Sequence, residues 1–263
     1  MPDKRTHRGP HPSDEKLFAP DVISDLRSAL DDFSLLLTKG YADKSALKLV
    51  GDKFSLTERQ RLAIMRSACS DRQLASRSRR RVELKELANQ PIVIDGYNVL
   101  ITIEAAMSDG LIFIGRDGCF RDLASIHGTY RKVTETIPAV KLIGEFLTEV
   151  GVGQFRGEGV PPLYHMGLAR DKTTAQVLWL LDSPVSNSGR LKTLIRKLAK
   201  ENNWDWEVEL LLSPDAKLKK TDLVVASSDS VVLDKCKRWL NLAAEIIMRK
   251  IQNPHIMDMS PQK

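Results

Sequence analysis

Three aspartates close short apolar runs in this chain: Ile92-Val-Ile-Asp95, Trp179-Leu-Leu-Asp182 and Val224-Val-Ala-Ser-Ser-Asp229. An apolar run ending in a carboxylate is the pattern of a buried parallel strand whose C-terminal end faces a ligand, because the crevice of an open α/β sheet lies outside the carboxyl ends of its strands. Carboxylates gathered there repel one another unless a cation sits among them, and oxygen ligands of this kind suit Mg2+ or Mn2+. Such an ion can activate a water, orient a phosphodiester and neutralise charge developing on the scissile phosphate, so no nucleophilic side chain is required. A single Asp at such a place reads more simply as the N-cap of the following helix. Three of them favour a shared metal site over three unrelated caps.

Two further segments carry donors suited to phosphate. Asp182-Ser-Pro-Val-Ser186-Asn187-Ser188-Gly189-Arg190 joins a strand to a helix, where free N–H groups, Ser186, Ser188 and Arg190 can cradle an anion. Arg116 to Arg131 mixes Arg121, Asp117, Asp122, His127, Tyr130 and Arg131 in a polar loop that could line the rim of the crevice or pair its charges on a solvated face. Gly151 to Gly159 is glycine-rich but lacks dinucleotide spacing and a preceding strand, which excludes a Rossmann loop there.

The elements that must hold these residues follow from periodicity. Pro20 to Gly40 repeats apolar residues at helical spacing, with Gly40 at the C-terminal cap. Lys44 to Val50 reads as a second helix stopped by Gly51, and a third opens with a capping box at Ser55-Leu-Thr-Glu58. Beyond residue 90 the pattern alternates. Apolar runs at 91–95, 175–181, 208–212 and 223–226 are interleaved with helical periods at 98–107, 132–150, 188–201 and 229–250. That alternation predicts a three-layer α/β/α domain with a mostly parallel sheet. The expected organisation is a flexible tail over 1–17, a small all-α, Arg-rich domain over 18–88, the α/β domain over 91–251 and a tail over 252–263.

The net charge of +6 is localised. Residues 51–90 hold 10 basic and 5 acidic residues, whereas 1–50 balance and 91–263 hold 22 and 21. Arg61, Arg66, Arg72, Arg77, Arg79, Arg80 and Arg81 fall within 21 residues that include one acid, Asp71, and no lysine. Arginine forks bind phosphates bidentately, so this segment, and Arg77, Arg79, Arg80 and Arg81 above all, reads as an RNA-binding surface. The competing reading is a solvated or intramolecular face. Cys69, Cys119 and Cys236 lack any paired spacing for zinc or disulfides, and no apolar run approaches membrane-spanning length, so a cytoplasmic protein is expected.

Val93-Ile-Asp95-Gly-Tyr-Asn98-Val-Leu100 resembles the opening strand of PIN/NYN ribonuclease domains, and Val225-Ala-Ser-Ser-Asp229-Ser230 is similar to a later strand of that family. The whole chain also resembles an uncharacterised prokaryotic group in which a helical N-terminal domain precedes a PIN-like domain. The resemblance implies that Asp95 and Asp229 bind metal with Asn98 beside them, and that a further acid completes the site, for which Glu135, Asp117 and Asp122 compete. It implies a metal-dependent endoribonuclease-like protein, with a non-catalytic RNA-binding or scaffold protein as the alternative. RNA is the expected partner, a membrane is not, and self-association is compatible with the composition. A haloacid-type phosphatase is disfavoured, since it needs an Asp two residues after the first and position 97 is Tyr.

Overall fold

Side chains at loop ends set where the N-terminal helices begin. Thr57 and Ser70 each accept the N–H of a Gln three residues on, and that Gln side chain accepts the N–H of the capping residue in return. The computed structural model describes residues 6–124, 128–152 and 175–260. In it these boxes start α4 (Glu58–Ser67) and α5 (Asp71–Arg80), after α1 (Asp14–Leu17), α2 (Ile23–Thr38) and α3 (Asp43–Lys53). The box expected at Ser55 therefore lies two residues later. Ser55 itself sits at a φ of 50° in the turn before the helix. Gly51 does not stop its helix either, because α3 runs through it and the Arg61 guanidinium lies against the space that a Cβ would fill.

The chain then alternates through β1 (Ile92–Asp95), α6 (Gly96–Met107), β2 (Ile112–Ile114), β3 (Phe120–Arg121), α7 (Thr136–Glu149), β4 (Val177–Asp182), α8 (Ser188–Glu201) and β5 (Trp206–Leu211). It continues with α9 (Pro214–Leu218), β6 (Val224–Ala226), α10 (Ser230–Leu233), β7 (Arg238–Leu240), α11 (Leu242–Lys250) and β8 (Ile256–Asp258). Five strands pair in the order β5-β4-β1-β6-β7, every pair parallel. Their side chains alternate between two buried faces. Ile92, Ile94, Trp179 and Leu181 pack with residues of α6, α7, α8 and α11, while Val93, Leu178, Leu180 and Val225 pack with residues of α9 and α10. Burial on both faces is why these strands read as unbroken apolar runs. The expected three-layer domain behind a helical N-terminal region is present.

Two expectations about the ends of the chain are corrected. Residues 256–258 are not tail: they form β8, which pairs with β2 in a second sheet of order β3-β2-β8. Phe113 of β2 and Met257 of β8 pack in one cluster with Leu26, Leu30, Phe33 and Ile64, joining the helices to the α/β domain. Residues 6–8 are tied down as well. The Thr134 amide donates to the Thr6 carbonyl at 3.0 Å, and Arg8 Nε donates to the fully buried Glu104 at 2.8 Å. The helix expected over 229–250 is interrupted by β7, a three-residue edge strand, so α10 and α11 are separate. Among the described residues no helix is long and apolar enough to cross a membrane.

Candidate acidic site at the strand ends

β1 lies between β4 and β6, where the strand order turns back on itself, and the crevice outside the strand ends at such a reversal is where open α/β sheets bind ligands. Asp95 is the last residue of β1 and pairs with Leu180, two residues before Asp182 at the end of β4. Asp229 follows β6 by three residues and caps α10, its Oδ1 accepting the amides of Val231 at 2.8 Å and Val232 at 3.0 Å. A helix cap is thus part of what Asp229 does. Asp95 precedes α6 directly without a side-chain cap bond, and Asp182 lies well before α8.

Gly96 lets β4 pass close to the start of α6. A Cβ on it would meet the Leu180 carbonyl oxygen at 2.8 Å and Leu181 Cδ2 at 2.5 Å. Gly96→Ala is therefore expected to cost roughly 1–3 kcal/mol by forcing β1 and β4 apart. Urea unfolding would measure it, and an unchanged midpoint would mean that the strands separate without strain.

The electrostatics single out Asp95. Burial, followed by the charges of Asp229, Asp215 and Asp182, pushes its carboxyl up to about 7, against the opposing effect of a hydrogen bond that Ser227 Oγ donates to Oδ2 at 2.7 Å. The Asp182 carboxyl is raised by partial burial and by Asp215. Asp215 is the residue that sequence reasoning missed. It follows no apolar run directly but stands on α9, which packs against β1 and β4. The only local signal is an Asp in the first turn of the short helix after β5. Ser227 and Ser228, of the strand motif that ends in Asp229, also take part. Asn98 Oδ1 accepts from the Ser228 amide at 2.7 Å and its hydroxyl at 3.1 Å, so Asn98 fastens α6 to the loop that carries Asp229.

As they stand, no three His, Cys, Asp or Glu side chains among the described residues are close enough to hold one ion together. The donor type nonetheless fits Mg2+ or Mn2+, being all oxygen. Ser227 uses one oxygen of Asp95 and the α10 amides use one oxygen of Asp229, leaving the second oxygen of each without a hydrogen bond among the described residues.

The three acids proposed to complete the site each have partners of their own. Asp117 is enclosed by guanidinium groups, receiving Arg77 Nη1 at 2.6 Å, Arg121 Nη2 at 2.7 Å and Arg121 Nη1 at 2.8 Å. Asp122 accepts from Thr102 Oγ1 at 2.7 Å and the Ala124 amide at 2.7 Å, and Glu135 pairs with His7 Nδ1 at 2.5 Å. The arginines that hold Asp117 reach the Ser228 and Ser230 carbonyls on either side of Asp229, and the further acid whose charge raises both Asp95 and Asp182 is Asp215.

The arginines divide. Arg77 is buried and binds Asp117 and Asp234, so it is corrected from an RNA contact to an internal ion pair. Arg121 is buried too, with Nε donating to the Ser228 carbonyl at 2.8 Å. Arg80 donates to the carbonyls of Ser76 and Cys236. Arg79 and Arg81 remain exposed, the latter 5.8 Å over the Trp239 ring. Around the α8 loop, Ser188 is buried and its hydroxyl donates to the Ser183 carbonyl at 3.4 Å, whereas Ser186, Arg131 and Arg190 are exposed. His127 and the stretch from 153 to 159 lie outside the described residues.

The chain is 30% identical over 224 residues to the uncharacterized protein MJ0935 of Methanocaldococcus jannaschii, a match covering 84% of this chain and 96% of that one. No solved structure matches it. Residues 25–80, which cover most of α2 and all of α3 to α5, match a family described as a protein of unknown function (DUF434). Residues 84–156 and 166–245, spanning β1 to β7 and including Asp95, Asp182, Asp215 and Asp229, match a second, and the chain accordingly belongs to the family described as a domain of unknown function (DUF5616).

Proposed function

We propose that the chain is a metal-dependent endoribonuclease-like protein of the PIN/NYN type, hydrolysing RNA phosphodiesters at the acidic crevice with Mg2+ or Mn2+. The observation that carries this is Asp95: a buried carboxyl at the end of the central strand, raised to about 7 by burial and by three neighbouring aspartates. Such repulsion disfavours an ion-free, fully charged site and is relieved by a divalent cation. Asp95, Asp182 and Asp229 would hold the ion, with Asp215 beside them. When bound, the ion supplies an activated water and charge neutralisation at the phosphate. Ser227 orients Asp95 from one side, Asn98 holds the Ser227–Asp229 loop in register, and the α10 amides fix the rotamer of Asp229.

The spacing of the carboxylates favours a second reading, a non-catalytic RNA-binding or scaffold protein with a degenerate site, because no three acids among the described residues converge on one point. Cleavage of a labelled RNA in Mn2+ and in EDTA separates the two. The nuclease reading expects Mn2+-dependent products that are lost in Asp182→Asn and reduced in Asp215→Asn. Intact RNA in Mn2+ at enzyme excess would leave the scaffold reading.

A further inference from the structure

A cavity of about 470 Å³ between residues 7–14 and the domain is lined by charges of both signs, with Arg8 paired to Glu104 and Arg59 to Asp14, and Arg131 stands at its border. A second cavity, of about 450 Å³, has a different character. Arg131, Lys132 and Arg190 stand around it, all exposed, and none of the three side chains has an ion-pair partner among the described residues. No acid among the described residues lines it. Its floor is apolar, lined by the half-buried Leu194 with the buried Leu191 and Tyr130.

The cavity is connected to the acidic crevice through the loop after β4. The loop that leaves Asp182 reaches it at Asn187, whose Nδ2 donates to the Tyr130 carbonyl at 2.9 Å. Ser186 is bonded to the same neighbouring segment: its amide donates to the Gly128 carbonyl at 2.9 Å, and its carbonyl accepts from the Tyr130 amide at 3.1 Å. The Tyr130 ring packs 5.3 Å from that of Tyr97, two residues after Asp95. A hydrogen bond and a ring contact thus link the basic rim to the segments that carry Asp182 and Asp95.

We propose that Arg131, Lys132 and Arg190 form the entry groove for single-stranded nucleic acid, gripping the phosphates of the strand as it runs toward the carboxylates. This rests on the nuclease reading of the crevice and narrows its substrate class. Three unpaired cations match a phosphate backbone. The apolar floor separates strand from duplex, because an unpaired base has a face to bury there, whereas a duplex keeps its bases stacked inside and presents phosphates only. Tyr130 is itself buried, so the floor is aliphatic rather than a stacking platform, and contact with the base is independent of its identity.

The test is fluorescence anisotropy of the full-length protein in EDTA with a labelled oligouridine of about 12 nucleotides, and with a duplex of the same length, across a salt series. The wild type is expected to bind the single strand more tightly than the duplex. The triple variant Arg131→Ala, Lys132→Ala, Arg190→Ala is expected to lose about 2 from the log–log salt slope, at roughly 0.7 per phosphate contact. Its melting temperature should not change, since all three side chains are exposed. An unchanged slope, or a duplex bound as well as the single strand, overturns the groove, as does absence of binding by the wild type. Calorimetric titration of the same proteins with Mn2+ keeps the two readings apart. Loss of oligouridine binding with no Mn2+ binding in any protein would sustain the groove and sink the nuclease reading; Mn2+ binding lost in Asp95→Asn with the salt slope intact in the triple variant would do the reverse.

Discussion

Asp117→Asn is expected to destabilise the protein by about 3–5 kcal/mol, the scale on which removing one partner of a buried ion pair acts. The side chain is 1% exposed and is shared by two guanidinium groups that are almost as enclosed, Arg77 at 1% and Arg121 at 7%. Replacing the carboxylate by an amide keeps the volume but leaves both cations facing a group that cannot neutralise them, and among the described residues Arg77 then retains one carboxylate, Asp234, and the Ser230 carbonyl. Urea unfolding at neutral pH would measure the loss, and a value below about 1 kcal/mol, typical of exposed pairs, would mean that water reaches the network.

The same substitution carries a pH signature. Burial alone would raise the Asp117 carboxyl, but the charges and hydrogen bonds of Arg121 and then Arg77 hold it well below the usual carboxylate range. A carboxyl depressed in the folded state stabilises fully above its unfolded pKa, near 4, and that stabilisation is lost as pH falls toward its folded value. The wild type should therefore lose stability steeply below about pH 4, and Asp117→Asn should flatten that acid limb.

Asp95 has the opposite sign. Its folded carboxyl titrates near 7, above the unfolded value of about 4. The stabilisation from its protonated form is complete below about pH 4 and is lost as pH rises through 7, with a ceiling of about 4 kcal/mol. The metal-free wild type is accordingly expected to be less stable near pH 8 than near pH 5, and saturating Mn2+ should restore stability at the higher pH by replacing the proton. Asp95→Asn should remove this slope and weaken Mn2+ binding by more than the roughly 10–100-fold lost when an outer-shell partner is deleted. Thermal melts at the two pH values, with calorimetric Mn2+ titration at each, check both parts. Equal Mn2+ affinity in mutant and wild type would remove Asp95 from the site.

Strand identity was legible because the signal is local. Val93, Leu178 and Val225 face one layer of helices and their neighbours face the other, so burial on both sides leaves continuous apolar runs, and an Asp at the end of such a run has nowhere to lie but the crevice. The strand-end positions of Asp95, Asp182 and Asp229 were legible that way. Asp215 was not, because it reaches the same place from the first turn of a separate short helix, and only the packing of α9 on β1 and β4 brings it there. The edge strand β7 was hidden for a related reason. Three residues between two helical periods carry too little pattern to break them, and pairing with β6 is a long-range event.

The arginine-rich helix marks the clearest division between what the residues settle and what the fold decides. That residues 71–80 form a helix follows from local chemistry, since Ser70 and Gln73 close a capping box before a run free of Gly and Pro. Which face turns inward does not follow. Gln73, Arg77 and Arg80, spaced at i, i+4 and i+7, bond to Asp234 and to the Cys236 carbonyl, while Arg72 and Arg79 face solvent. An inward stripe made of polar groups has no hydrophobic period to betray it. Its partners lie some 40 to 160 residues away in the chain, so the same guanidinium chemistry that suits a phosphate was committed to buried carboxylates only when the sheet brought Asp117 and Asp234 to meet it.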